Sequence, residues 1–126
     1  MNNIIELVGR IFLGHIFLMA GLSKLGAGYA GTAGYMESVG LSGSLLPAVI
    51  ALEILGGLMV IIGFKAKWAA YALAGFSIIA GAIFHSNFAD QMQMILFMKN
   101  VSIAGGLLLL TVHGAGLLSV DSKLSK

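Results

Sequence analysis

Residues 44–63 read SLLPAVIALEILGGLMVIIG, twenty residues with a single charge, Glu53, near their middle. An α-helix rises about 1.5 Å per residue, so this stretch is long enough to cross the hydrocarbon core of a bilayer, which is about 30 Å thick. Pro47 lies in the first turn, where its missing backbone N–H does no harm. The stretch therefore predicts a membrane-spanning helix.

Three further stretches have the same character and similar lengths, at residues 4–25, 68–85 and 92–112. The first of them lacks the basic start of a signal peptide, because Arg10 is its first positive residue, and we expect a true span. The glycine-rich residues 26–34 predict a loop, followed by a short interfacial helix at residues 33–39. The sequence predicts an all-α membrane protein, with one domain over residues 1–126 that forms a four-transmembrane-helix bundle.

Composition supports this class of protein and excludes others. Hydrophobic residues make up 59% of the chain and charged residues 10%, whereas a soluble domain has about 45–50% and about 25%. The net charge of +2 is too small and too scattered to indicate a nucleic-acid partner. The chain has no cysteine, which excludes disulfides, thiol relays, cysteine nucleophiles and cysteine-ligated metals.

The basic residues predict the orientation in the membrane. With four spans, both termini and the middle loop share one side, and that side carries Lys65, Lys67, Lys123 and Lys126. The opposite side has Lys24 alone, at the edge of a span. By the positive-inside rule we expect both termini in the cytoplasm.

Three polar residues in the spans form the main candidate site. Glu53 lies about 12–14 Å from the outer end of its span and Lys99 about 9–10 Å from the outer end of the fourth, with Asn100 beside it. Side chains lean towards the N-terminus of their own helix, so those of Glu53 and Lys99 both lean outwards. We expect a Glu53–Lys99 pair, which either locks helix packing or binds a ligand together with Asn100.

The first span carries three more polar residues. Glu6 and Arg10 are four residues apart, which predicts either a helical ion pair or a free Arg10 that binds an anionic headgroup or a quinone carbonyl. His15, at mid-span, is either a hydrogen-bonded packing residue or a ligand-binding residue.

Structural roles are expected for three residues near the ends of spans. Lys24 is expected to snorkel to the interface, Trp68 to anchor the third span there, and His85 to cap that span. His15, His85 and His113 lie at three different depths, so no metal site is predicted from them. Met92, Met94 and Met98 are apolar filler or a Cu(I)-binding stripe.

Small residues predict an oligomer or a complex with another membrane protein. They allow close helix packing, and there are more of them than four helices need internally. The pairs are Gly14/Gly21, Gly56/Gly57 and Gly105/Gly106.

Several segments resemble the DoxX family of small bacterial membrane proteins. The segments are LVGRIFL at 7–13, MAGLSK at 19–24, YMESVGL at 35–41, EILGG at 53–57, KNVSIAGG at 99–106 and HGAG at 113–116. The resemblance implies a four-helix protein of the bacterial inner membrane. It also implies recurrent polar positions at Arg10, Lys24, Glu53, Lys99 and Asn100. Some relatives are subunits of an archaeal thiosulfate–quinone oxidoreductase, others are linked to oxidative-stress or redox complexes, and many have no assigned activity.

Three functions follow as alternatives. The first is a redox-linked accessory subunit that binds a quinone-like or other lipophilic molecule, or a lipid, between its helices, with the reaction centre in a partner subunit. The second is a non-enzymatic scaffold for the assembly of a larger membrane complex. The third is a small-molecule or metal carrier. No self-contained catalytic site and no covalent cofactor are predicted, and the expected partners are membrane lipids, further copies of the chain or redox subunits.

Overall fold

The computed structural model describes residues 2–85 and 87–124. These residues form helices and contain no strand. The helices are α1 (Asn2–Ser23), α2 (Ala27–Ser38), α3 (Leu46–Ile62), α4 (Ala66–Phe84), α5 (Gln91–His113) and α6 (Val120–Leu124), with a short 3-10 helix at Gly43–Leu45 ahead of α3. Four of them, α1, α3 with its 3-10 turn, α4 and α5, are long and apolar enough to cross a membrane. The predicted fold class is confirmed.

The surface of the spans is apolar, which is the reverse of a soluble helix bundle. Large side chains on each span point outwards, among them Phe12 (67% exposed), Leu55 (60%), Ile79 (61%) and Leu109 (63%). Contiguous apolar surface of this extent marks a lipid or protein contact. The four spans therefore expose to their surroundings the surface that a bilayer would cover.

The bundle is built from two helix pairs. In the first, α1 crosses α3 closely because glycines face each other: a Cβ on Gly14 would lie 2.7 Å from the Gly57 carbonyl oxygen. In the second, α4 packs along α5, and Gly81 faces Phe97. The two pairs meet through α3 and α4, where Gly56 accommodates Leu73.

One end of the bundle, called the terminal end here, carries the start of α1, the α3–α4 turn and the C-terminal segment. The principal hydrophobic core extends towards it and includes Val60, Ala70, Leu73 and Leu107. The other end, called the α2 end here, has a smaller core of Met36, Leu46 and Ile50. Since the two helix pairs are packed tightly mainly near the terminal end, they leave space between them towards the α2 end.

The first connection differs from the predicted loop. Helix α2 covers Ala27–Ser38, so most of the glycine-rich stretch is helical rather than irregular. Its limits follow from two glycines with positive φ, Gly26 at 61° and Gly40 at 90°, a conformation that L-residues with side chains rarely adopt. Glycine content alone did not show that Gly26 and Gly40 limit the helix while the glycines between them lie within it.

The C-terminal segment is folded onto the bundle and is not a free tail. The Asp121 carboxylate accepts hydrogen bonds from the backbone N–H groups of Lys65 (2.6 Å) and Ala66 (2.9 Å), at the start of α4. The Asp121 N–H donates to the Gly63 carbonyl at 2.8 Å. A carboxylate at a helix N-terminus satisfies orphan donors and complements the helix dipole, so this segment stabilises the α3–α4 turn.

Glycine packing accounts for most of the small residues that predicted an oligomer. Gly14 faces Gly57, Gly21 faces Ile54, Gly56 faces Leu73 and Gly106 faces Leu13. A Cβ at Gly105, in contrast, would meet nothing within 4 Å. These glycines are therefore not surplus, because five of the six are used inside one chain, while the oligomer itself stays a prediction.

Candidate functional site

The space between the two helix pairs is a cavity of about 460 Å³ at the α2 end. Its walls are almost entirely apolar and come from all four spans, for example Phe17, Val49, Phe76 and Ile103. Helix α2 covers it with Thr32, Tyr35 and Met36, and His85 lies at its rim. Pockets of about 300–1,000 Å³ with apolar walls and a few polar groups are typical of small-molecule sites.

An ion pair lies in the wall of this cavity. Lys24 Nζ is 2.7 Å from Glu53 Oε1 and also donates to the Ala20 carbonyl at 3.2 Å. The Lys24 side chain is 23% exposed and that of Glu53 is 5% exposed. Close approach of α1 to α3 makes this pair possible, because a Cβ on Gly21 would lie 3.1 Å from the Glu53 Cβ.

The predicted Glu53–Lys99 pair was wrong. Glu53 pairs with Lys24, whereas Lys99 is exposed on the outside of α5, in a shallow depression beside Met98 and Ser102. The depths of Glu53 and Lys99 were compatible, but the two residues do not face each other. Lys24 consequently lies against α3 and lines the cavity, and is not simply a snorkelling residue at the edge of its span.

Asn100 lines the cavity, unlike its neighbour Lys99. Its Nδ2 donates to the Ser77 carbonyl of α4 at 3.1 Å, and Gly81 leaves room for it, since a Cβ there would lie 3.2 Å from Nδ2. A carbonyl can only accept a hydrogen bond, so this contact orients the amide with its nitrogen towards Ser77. Of the three residues predicted to form one polar centre, Glu53 and Asn100 share a cavity and Lys99 does not.

Arg10 occupies a different site, near the terminal end. It is 2% exposed, and its guanidinium donates to the carbonyls of Val60 (3.4 Å), Ile61 (2.9 Å) and Leu118. Val60 and Ile61 belong to the last turn of α3, whose carbonyls have no helical partner. Arg10 thus joins α1, α3 and the C-terminal segment, and it does not line the cavity.

Glu6 and Arg10 do not form the predicted helical ion pair. The ion pair found in the described part of the chain is Lys24–Glu53. Glu6 instead approaches the C-terminal segment, and a Cβ on Gly116 would lie 3.0 Å from its carboxylate. Arg10 Nε is the one buried side-chain polar atom without a partner in the described part of the chain. Sequence spacing identified the charges but not the backbone carbonyls that Arg10 binds.

The remaining predicted residues lie apart from the cavity or at its edge. His15 is exposed, with Nδ1 2.7 Å from the Phe12 carbonyl oxygen. His85 ends α4 and lies 2.9 Å from Gln93 Oε1. Trp68 is 74% exposed at the start of α4. No group of three His, Asp or Glu side chains within residues 2–85 and 87–124 could hold a metal ion, and Met92, Met94 and Met98 are all exposed.

Sequence reasoning missed the contribution of α2 and the role of Lys24. Tyr35 stacks on Phe84 with ring centroids 5.3 Å apart, which ties α2 to the end of α4 over the cavity. One sequence signal did indicate the role of Lys24. Lys24 follows Gly21 by three residues, so both residues lie on one helix face. That glycine marks the face that packs on α3.

Comparison with known proteins places these features in a family. The family model described as DoxX matches residues 5–86. This range holds most of α1, all of α2 to α4 and the Lys24–Glu53 pair, and it ends before α5. Inner membrane protein YqjF of Escherichia coli K12 is 46% identical over 120 residues, which cover 95% of this chain and 92% of that protein. Inner membrane protein YphA of the same organism is 33% identical over 127 residues, covering 95% and 90%. No solved structure matches the chain.

Proposed function

Because the chain belongs to the DoxX family and is a multi-pass inner-membrane protein, we propose that it binds a quinone-like or other lipophilic molecule in the cavity at the α2 end. In this proposal it acts as an accessory subunit of a redox-linked membrane complex. The observation that carries the proposal is the cavity of about 460 Å³, with apolar walls and one ion pair among its lining residues.

The cavity suits a lipophilic molecule better than a water-soluble one. Its apolar walls offer little compensation for the lost hydration of a polar ligand, while they favour burial of a hydrocarbon tail or ring. Lys24, Glu53 and Asn100 line the cavity and can supply polar contacts to a head group. The exposed apolar surface around the spans suits a bilayer, in which a lipophilic ligand would be dissolved.

The redox-linked part of the proposal rests on the family resemblance and needs a partner. The chain has no cysteine, so thiol chemistry is not available within it. A bound quinone-like molecule would exchange electrons with a separate subunit. The role of this chain would be to hold the molecule at a defined place within the membrane.

Extraction from the native membrane tests the proposal. Ala80 lines the cavity on α4, whereas Ala72 is exposed on the same helix. Ala80→Phe fills part of the cavity, and Ala72→Phe adds the same ring outside it. We expect mass spectrometry of mildly extracted protein to detect a bound lipophile in the wild type and in Ala72→Phe, and much less of it in Ala80→Phe. Equal occupancy in all three proteins, or none in the wild type, would overturn the proposal.

A second candidate function, assembly with another membrane protein, is favoured by Lys99. This cation lies within α5 on its exposed face, and no partner for it is found among the described residues. Charge within a span is costly unless it is paired or reaches the interface. Photo-crosslinking from Ser102, beside Lys99, in intact membranes tests this role, and an absence of any crosslinked protein there would count against it.

A further inference from the structure

The polar groups of the cavity keep both unused donors and unused acceptors of hydrogen bonds. Lys24 has three N–H donors, and two of them point to Ala20 O and Glu53 Oε1. One Lys24 donor is left. On the acceptor side, Glu53 uses Oε1 alone, so that Oε2 accepts nothing from residues 2–85 and 87–124.

Asn100 and Thr32 follow the same pattern. Asn100 Nδ2 donates to Ser77 O, which leaves the amide oxygen Oδ1 free to accept. Thr32 Oγ1 donates its proton to Gly28 O at 2.9 Å, and the hydroxyl oxygen can still accept. Both residues line the cavity. Each therefore keeps an unused acceptor oxygen, and Asn100 also keeps the second N–H of its amide.

The two unused acceptor oxygens are accessible and not sealed. In the described part of the chain, Arg10 Nε is the one polar side-chain atom that is both fully buried and unpartnered. Glu53 Oε2 and Asn100 Oδ1 also lack partners, but neither atom is fully buried. Part of the surface of each atom is therefore exposed. Because both residues line the cavity, a molecule within it can reach these atoms.

We infer that the ligand carries a neutral head group with a hydroxyl, as a phenol, a hydroquinone or a long-chain alcohol does. This inference rests on the proposed function and specifies the class of molecule that the same cavity takes. A hydroxyl donates one hydrogen bond and accepts others. The hydroxyl donates to Glu53 Oε2 and accepts from the remaining N–H of Lys24. One group thus pairs both the unused acceptor and the unused donor.

Other head groups fit these atoms less well. A ketone, quinone, ester or ether accepts only, so it leaves the Glu53 Oε2 lone pairs desolvated and unpaired, which is costly. A carboxylate brings a second negative charge next to Glu53. An ammonium adds a net charge to a region where Lys24 and Glu53 already neutralise each other, and burying it in apolar walls is unfavourable.

A matched pair of probes tests the inference. Para-nonylphenol and its methyl ether have the same ring and tail, and only the phenol donates a hydrogen bond. We expect the purified protein in nanodiscs to bind the phenol at least about 5-fold more tightly than the ether, as judged by native mass spectrometry. An unpaired buried acceptor costs about 1–3 kcal/mol, and each 1.4 kcal/mol corresponds to about tenfold in affinity.

Two variants separate the possible outcomes. In Ala80→Phe both probes should bind much more weakly than in the wild type. In Lys24→Met/Glu53→Leu, which removes both charges together and leaves neither unpaired, the phenol should lose its advantage and the two probes should bind alike. If both probes bind the wild type equally and Ala80→Phe weakens both, the donor requirement is wrong and the cavity still takes lipophiles. If neither probe binds the wild type, the proposed function fails as well.

Discussion

Lys24 and Glu53 bring opposite charges into the bundle, and each is tolerated because the other lies 2.7 Å away. Glu53→Gln or Lys24→Met removes one charge and leaves the other among apolar walls. Breaking a fully buried pair in this way costs about 3–5 kcal/mol. Since the Lys24 side chain is 23% exposed, we expect each single change to lower the free energy of unfolding by about 2–4 kcal/mol, as measured by titration with a denaturing detergent.

The double variant and a distant lysine complete this test. Lys24→Met/Glu53→Gln should lose clearly less stability than the two single losses added together, because it leaves no unpaired charge. Lys99→Met is the matched control, since Lys99 is exposed on α5, and its effect should stay within about 0.5 kcal/mol. Additive losses for Lys24 and Glu53, or a large loss for Lys99→Met, would contradict the pairing seen here.

The choice between two lysines shows what could be predicted at the residue scale. Depth along a helix follows from counting residues, so Glu53 was correctly placed well inside its span. The direction in which a residue points depends on how the helices are ordered around the bundle, and hydropathy does not carry that information. Because α1 packs on α3 while α5 packs on α4, Lys24 reaches Glu53 and Lys99 does not.

Helix crossings are the feature that decides stability at the scale of elements. A Cβ on Gly57 would lie 2.8 Å from both the Gly14 carbonyl oxygen and the Leu18 backbone nitrogen. Gly57→Ala therefore forces α1 away from α3 and should lower the free energy of unfolding by about 1–3 kcal/mol. A shift of the thermal unfolding midpoint in mild detergent measures the effect.

Gly105→Ala is the corresponding control on α5. A Cβ there meets nothing within 4 Å, and alanine is the better helix former by about 1 kcal/mol. We expect this variant to be as stable as the wild type or slightly more so. Equal destabilisation by Gly57→Ala and Gly105→Ala would mean that the α1–α3 crossing is not as close as described.

The limits of the elements were predictable only in part. The four spans followed from their apolar length, to within a few residues at each end. Of α2, only the part at residues 33–38 was predicted as helix, and the packing of the C-terminal segment was not predicted, because both depend on tertiary contacts. Met36 is buried against Leu46 and Ile50, and Asp121 acts by capping α4. The buried residues of this segment are Ala115 and Ser119, whose small side chains gave no distinctive signal in the sequence.

For the whole molecule, the orientation in the membrane stays a prediction, and the absence of cysteine makes it easy to test. Ser86, the first residue between the predicted third and fourth spans, lies outside the described residues, so Ala89, which is exposed at the α2 end, is the better labelling site. Leu117 is 63% exposed near the terminal end. We expect a membrane-impermeant thiol reagent to label Ala89→Cys in cells with an intact inner membrane, and Leu117→Cys only after lysis.

The reverse labelling pattern would place the termini on the periplasmic side. The reason for expecting cytoplasmic termini is the distribution of charge. Lys65, Lys67 and Lys123 lie at the terminal end, with Lys126 beyond the described residues, and Lys24 near the α2 end is paired with Glu53. A charge that is neutralised by a partner contributes less to retention on the cytoplasmic side than a free one, which makes the asymmetry stronger than the sequence count suggests.

The contact of Arg10 with Leu118 has a consequence for biogenesis, because it joins residues 108 positions apart. Synthesis proceeds from the N-terminus, so α1 is made and delivered to the membrane before its carbonyl partners on α3, and well before Leu118, exist. During that interval water or lipid headgroups must satisfy the guanidinium, which favours keeping α1 at the edge of the insertion machinery. Its final burial waits for the segment that follows α5, and the arginine couples synthesis of that segment to closure of the bundle.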